Sequence, residues 1–251
     1  MSKKYKGKLC AYCCKELSIT GDHVFAREFF LIDKRDNLPQ VPSCETCNRA
    51  KSKLEHYLTA LLPFGGRHKD SHENLKGMVP KRLRKNPKLH KQLAAEQDYI
   101  LTKRASDLFS PSMVLPINFE SISALFKYIV KGLANYHWGV FLNDDVLIDV
   151  MALTPASEKF YEERFFRLNC KARIIETLAE NTFWYEGVQG VVCPQITAWR
   201  FSIYNGLQLT GDLEAPDEIC SVIGAHSGPK YIYENANNKL KLNKRLDGDR
   251  E

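Results

Sequence analysis

No apolar run in this 251-residue chain reaches the roughly 18–20 residues that a membrane-crossing helix needs. The first ten residues, MSKKYKGKLC, lack the apolar stretch of a secretory signal. There is no internal repeat and no extended low-complexity tract, so a repeat array or a fibrous chain is not expected. With 44% apolar and 26% charged residues, the composition is that of a folded chain rather than a disordered one. The expectation is a soluble, cytoplasmic protein with no membrane partner, long enough for one good core or two modest domains.

What is present is unevenly spread. The net charge is +6, but up to Arg104 there are 22 Lys+Arg against 11 Asp+Glu, and beyond it 14 against 19. A cationic half attracts a phosphate backbone and releases counterions on binding it, which favours a nucleic-acid partner; the plainer alternative is a set of solvated basic faces. The same half holds "CAYC", Cys10 to Cys13, and "SCETCNRAKS", Ser43 to Ser52. In a reducing compartment such pairs favour a metal over a disulfide.

Three segments follow from punctuation. Residues 8–62 form a cysteine-bearing module. Residues 63–108, rich in Pro and Gly and with seven Lys/Arg between Lys76 and Lys91, are expected as a basic linker or exposed arm. Residues 109–240 read as α+β. There Ile122, Leu125, Phe126, Ile129, Val130 and Leu133 make one apolar helical face. Thr154 and Pro155 supply an N-cap and a first-turn proline for a second helix, with Phe160, Phe165, Phe166 and Leu168 expected to pack inward. Trp199, Phe201 and Ile203 then alternate with Arg200, Ser202 and Tyr204, and Asn205–Gly206 suits a type I′ turn. His137 and Trp138 are expected to be packing residues, as are Cys170, Cys193 and Cys220.

Cys10, Cys13, Cys44 and Cys47 supply four thiolates at zinc-knuckle spacing, with Cys14 as an alternative to Cys13. A four-thiolate ion is saturated, so its expected work is to fold a segment whose own core is marginal. Inside the loop that it closes lie Asp22 and His23. Adjacent residues on a strand point to opposite sides, so both serve one site only where the strand ends or bulges. Asn48 follows Cys47 and shares a helix face with Lys51, Ser52 and Glu55. A carboxylate, an amide oxygen and an imidazole would then converge, which suits phosphodiester hydrolysis. In that chemistry Asp22 and Asn48 are hard ligands for Mg²⁺ or Mn²⁺, His23 is a proton acceptor and Lys51 neutralises phosphate.

The order CxxC, "DH", an asparagine and "CxxCN" with a downstream "KS" resembles the ββα-metal (HNH) endonuclease family. It is similar to the zinc-knuckle form of phage junction-resolving endonucleases, while "NRAKS" resembles the helix start in HNH domains of CRISPR effector nucleases. The resemblance covers residues 8–60. It implies a small zinc-stapled ββα-metal domain, with His23 as general base, Asp22 and Asn48 as ligands of one divalent ion, and a middle asparagine bracing the loop. Asn37 in "RDNLP" matches the brace, and a plain turn fits it as well. Ser52 stands where colicin-type members carry a second histidine, so Mg²⁺ or Mn²⁺ rather than catalytic zinc is implied; His56, a turn further on, is expected to be exposed. "LPINFESISALFKYIVKGLANYHWG" resembles the carboxy-terminal part of bacterial HNH proteins, some encoded beside ATPases in phage-defence loci. The expected function is a metal-dependent DNA endonuclease, with RNA as the other polymer and Lys81, Arg82, Arg84 and Lys85 contacting phosphate. The alternative is a non-catalytic zinc module that binds nucleic acid or protein. A third reading is a toxin-like or defence effector whose site acts only with a partner bound; residues 109–240 would then be its docking or sensing part, with an ATPase or a second copy of the chain as the partner.

Overall fold

The computed structural model of the chain describes residues 4–103, 109–167, 170–209 and 220–233. Two short strands, β1 (Thr20–His23) and β2 (Gln40–Ser43), pair antiparallel with Asp22 opposite Val41 and His23 opposite Gln40. Between them the chain makes two 3-10 turns, Arg27–Phe29 and Ile32–Lys34, that bury Phe25, Phe29 and Phe30. Helix α1 (Glu45–Leu61) follows β2 directly. Cys44 caps it, its sulfur accepting the Cys47 N–H at 3.4 Å.

Residues 63–103, expected as part of a linker or arm, are built otherwise. They carry α2 (Lys69–Gly77), α3 (Val79–Lys85), α4 (Pro87–Glu96) and strand β3 (Asp98–Lys103), which pairs with β4 (Phe109–Val114). Leu89 and Leu93 of α4 bury against Ala60 and Leu61 of α1. Asp70, Ser71 and Asn74 of α2 are also buried. Pro80 and Pro87 start helices here rather than breaking them, because a proline in the first turn loses no helical hydrogen bond.

The apolar stripe expected after residue 118 forms α5 (Phe119–Trp138). Asn118 caps its start, and Gly139, left-handed at φ +65°, closes its end. Ile122, Leu125, Phe126, Ile129, Val130 and Leu133 are all buried, as the periodicity predicts. One face of α5 meets a five-stranded antiparallel sheet in the order β5-β9-β8-β7-β6, formed by Val146–Leu153, Val222–Pro229, Thr197–Ile203, Phe183–Gly190 and Cys170–Leu178 respectively. Another meets the cysteine module: Val24 lies so close to Gly132 that a Cβ there would sit 2.9 Å from its methyl group. A single apolar cluster therefore runs from Cys10, Phe25 and Phe29 through α5 to Phe183, Trp199 and Phe201. The sequence-based expectation of α+β architecture with amphipathic helices and an antiparallel sheet matches this mixture of helix and antiparallel strands.

Two local expectations need correction. Helix α6 (Pro155–Tyr161) begins with the Thr154 cap as expected, but a π turn over Glu162–Phe166 shifts its phase. Tyr161 and Phe166 face inward while Phe160 is 68% exposed; Leu168 lies outside the described residues. The turn after β8 is centred one residue earlier than expected, with positive φ at Tyr204 and Asn205 and Gly206 N–H bonded to Ile203 O at 3.0 Å. It closes no regular hairpin, since Leu207 next bridges to Gly66.

Candidate metal centre and the adjoining carboxylate site

The first CxxC pair lies in a turn closed by the Leu9–Leu17 bridge, and the second at the start of α1. Ala11 N–H donates to Pro42 O at 2.9 Å, which ties the first loop to β2. The Sγ atoms of Cys10, Cys13, Cys44 and Cys47 consequently lie within 4.8 Å of one another, Cys13 and Cys44 being 3.8 Å apart. A tetrahedron with Zn–S bonds of about 2.3 Å has edges of about 3.8 Å, so the donor set is compatible with structural zinc. Cys14 is not the fourth ligand. It is turned away in the left-handed region at φ +56°, its sulfur 4.0 Å from Ala11 O.

A cation would suit these thiols. Burial pushes Cys44 up to about 12 and Cys47 higher still. At Cys13 burial acts in the same direction, but backbone hydrogen bonds from Glu16 and Lys15 outweigh it and leave that thiol below its usual value. Four crowded sulfurs cannot all ionise unaided, whereas a divalent ion deprotonates them on binding.

Beside this cluster lies a buried polar chain. Lys51, wholly buried on α1, reaches Asp22 Oδ2 at 3.0 Å and the carbonyl of His23 at 2.7 Å, and pairs with Glu55 one turn on. Tyr12, between the two cysteines of the first pair, donates its hydroxyl to the same Asp22 Oδ2 at 2.6 Å. Burial, then the Asp22 charge, hold that phenol well above its ordinary value, so it stays protonated and donates. Both contacts fall on Oδ2, and among the described residues Oδ1 accepts no hydrogen bond.

His23 ends β1, and the chain bends at Val24. Burial first and the Arg27 charge second lower its pKa, with Asp22 acting against them. The imidazole is therefore neutral at neutral pH. Its Nε2 lies 2.7 Å from the Gln40 amide. An amide nitrogen there donates to Nε2 and places the ring proton on Nδ1; an amide oxygen accepts from Nε2–H and leaves Nδ1 as the basic atom.

Asn48 is half-buried one turn before Lys51 on the face that Lys51 turns toward β1, and its own N–H bonds to Cys44 O at 3.0 Å. Asn37 is exposed and left-handed at φ +58°, the turn reading of "DNLP". Lys51 is too enclosed to neutralise an incoming phosphate. Arg82 is committed to Thr59 O and Glu28 O, both at 2.7 Å, whereas Lys81, Arg84 and Lys85 are exposed. His56 is exposed as expected. His137 bonds the Tyr185 hydroxyl at 2.9 Å and Trp138 packs on Trp199, also as expected. Cys193 and Cys220 are partly buried outside the thiol cluster, and the Cys170 side chain lies outside the described residues.

Sequence reasoning missed Tyr12 and Gln40. The register of β1 against β2 would have offered Gln40, the residue opposite His23. For Tyr12 the one signal was its place between two ligands. Among the described residues no helix is long and apolar enough to cross a membrane. Compared with family models, curated proteins and solved structures, the chain matches none.

Proposed function

We infer that the chain is a metal-dependent endonuclease of the HNH kind, which hydrolyses phosphodiester bonds of DNA. The observation that carries this reading is the Lys51 ammonium bridging α1 to Asp22 and to the His23 carbonyl beside a four-thiol cluster. It ties the helix face of Asn48 to the strand end of Asp22 and His23. Asp22 keeps Oδ1 for a cation, and Asn48 offers a neutral oxygen from the facing helix. A bound Mg²⁺ or Mn²⁺ would offset charge on the phosphate and on the leaving oxygen. With the Gln40 amide turned so that its oxygen accepts from Nε2–H, neutral His23 would take the proton from the attacking water at Nδ1. Lys81, Arg84 and Lys85 are exposed and would contact the phosphate backbone away from the cut.

A second reading has one observation in its favour: Asp22 is already paired with Lys51 and Tyr12, as in a purely structural polar core. That is the non-catalytic zinc module, and a plasmid assay separates the two. With Mg²⁺ or Mn²⁺ the wild-type chain nicks or cuts plasmid, whereas His23→Ala and Asn48→Ala lose activity by at least about a hundredfold with zinc content unchanged. Full activity in His23→Ala removes the assigned base; an inactive wild type that still retards plasmid in a gel favours the binding module. Folded RNA is run in parallel as the competing substrate.

A further inference from the structure

Tyr12 is held at three points. Its ring is 1% exposed and meets Tyr128 of α5 edge-on at 5.2 Å. Its carbonyl accepts the Lys131 ammonium of α5 at 2.9 Å, and its hydroxyl donates to Asp22 at 2.6 Å. On either side in sequence stand two of the four clustered thiols, Cys10 and Cys13. The phenol therefore cannot shift without moving the first cysteine loop, and the loop cannot open without withdrawing the phenol from Asp22.

The hydrogen bond has a directional consequence. A free carboxylate rotates about its Cβ–Cγ bond and offers either oxygen. Here one oxygen takes both the phenol and the ammonium, which fixes that rotation and aims Oδ1 away from them. Lys51 alone would not do this. An ammonium is a point charge on a flexible stem and also serves Glu55 and the His23 carbonyl. The phenol, on a buried ring with two torsions that meets Tyr128 edge-on, supplies the rigid constraint.

We propose that Tyr12 is a positioning residue that couples the thiol cluster to the Asp22 site: an intact cluster places the hydroxyl, and the hydroxyl orients Asp22 toward a divalent cation. This rests on the reading of Asp22 as a cation ligand. It also makes occupancy of the two sites interdependent, since loss of the thiol-bound ion releases the loop that carries the phenol.

The test uses the full zinc-loaded chain and reads Mn²⁺ binding by titration calorimetry, with zinc content and thermal transition recorded for each variant. Asp22→Asn identifies the heat that belongs to the Asp22 site. In Tyr12→Phe, which keeps the ring, zinc content holds while the Mn²⁺ Kd rises about tenfold, the factor expected for one lost hydrogen bond to a charged group. Plasmid nicking by the same variant falls at limiting Mn²⁺ and recovers at saturating Mn²⁺. Wild-type Mn²⁺ affinity in Tyr12→Phe overturns the coupling while leaving the nuclease reading intact. If Asp22→Asn titrates like wild type, the cation-site reading fails and the coupling with it. Should Tyr12→Phe not fold, Lys131→Met, which frees the same residue's carbonyl from α5, is expected to raise Kd about threefold; an unchanged Kd there also overturns the proposal.

Discussion

Around Asp22, partly buried, and around Glu186, wholly enclosed, the protein sets a carboxylate against cationic side chains, and the two arrangements differ in what they leave over. Glu186 on β7 is 1% exposed, and each of its oxygens is taken: Oε1 by Arg173, whose Nε lies at 2.6 Å, and Oε2 by Arg200, whose Nε lies at 3.1 Å. Arg200 spends its remaining nitrogen on Glu162 and Glu158 and stacks over Phe166. That network is closed, and it ties the outer face of the sheet to α6 and the π turn after it. Among the described residues Asp22 is bonded through one oxygen only, Oδ2, which takes the Tyr12 hydroxyl and the Lys51 ammonium.

The supports differ as well. β1 and β2 are four residues each, too small to hold a polar site by their own packing, whereas Glu186 sits mid-sheet between paired strands. The largest expected effect follows. Cys44→Ser removes one thiolate, and the metal's contribution to folding, on the order of 10 kcal/mol, goes with it. Zinc content falls to zero, and hydrogen exchange shows residues 8–62 unprotected while β7, β8 and β9 remain slow. Protection retained in 8–62 without zinc would show that apolar packing on α5 holds the region unaided.

Glu186→Gln is the converse. It leaves Arg200 short of a counter-charge in a buried setting, while Arg173 remains open to solvent, and is expected to cost about 3 kcal/mol in urea denaturation, with zinc content and plasmid activity as in wild type. An unchanged midpoint would mean that Glu158 and Glu162 suffice to neutralise Arg200.

The two regions should also respond oppositely to pH. Burial raises Glu55 from 4.5 to about 7, with Lys51 pulling the other way. The folded chain then holds that proton more tightly than the unfolded chain, so this group's contribution to stability falls as pH rises from 4.5 to about 7. Burial lowers His137 from 6.5 to about 4. There the folded chain holds the proton less tightly, and the contribution is complete above 6.5 and lost as pH falls toward 4. Glu55→Gln therefore flattens the first slope and His137→Phe the second, each by about 2 kcal/mol across its window in denaturation midpoints from pH 4 to 8. Parallel curves for wild type and Glu55→Gln would show that Lys51 keeps Glu55 ionised throughout.

What could be read from the sequence was what local chemistry decides. The CxxC pairs, the α5 stripe and the Thr154–Pro155 cap each depend on residues within a few positions, and all three appear as expected. The burial of Lys51 could not be read, because its partner Asp22 lies 29 residues earlier and meets it only once β1 and β2 have paired. A lysine on a polar helix otherwise looks solvated. Helices α2 to α4 were hidden for a related reason. At seven to ten residues they owe little to propensity and much to Leu89 and Leu93 finding α1. At Phe160 a single π turn moved the apolar face by one residue, which periodicity does not foresee.

The smallest expected effect sharpens the division of labour within the cysteine loop. Cys14 occupies the left-handed region at φ +56°, where an L side chain is strained and glycine is not, and among the described residues its sulfur has only the distant contact with Ala11 O. Cys14→Gly relieves that strain, but it also frees the unfolded chain, so the net gain is at most about 1 kcal/mol. Zinc content is unchanged, because the four clustered sulfurs do not include this one. Cys13→Gly, one position earlier, removes a ligand and abolishes binding. If the two variants exchanged roles, with zinc lost on Cys14→Gly and kept on Cys13→Gly, the first loop would have to turn by one residue. Tyr12 would then no longer be held between two ligands, and its geometry toward Asp22 would have to be drawn again.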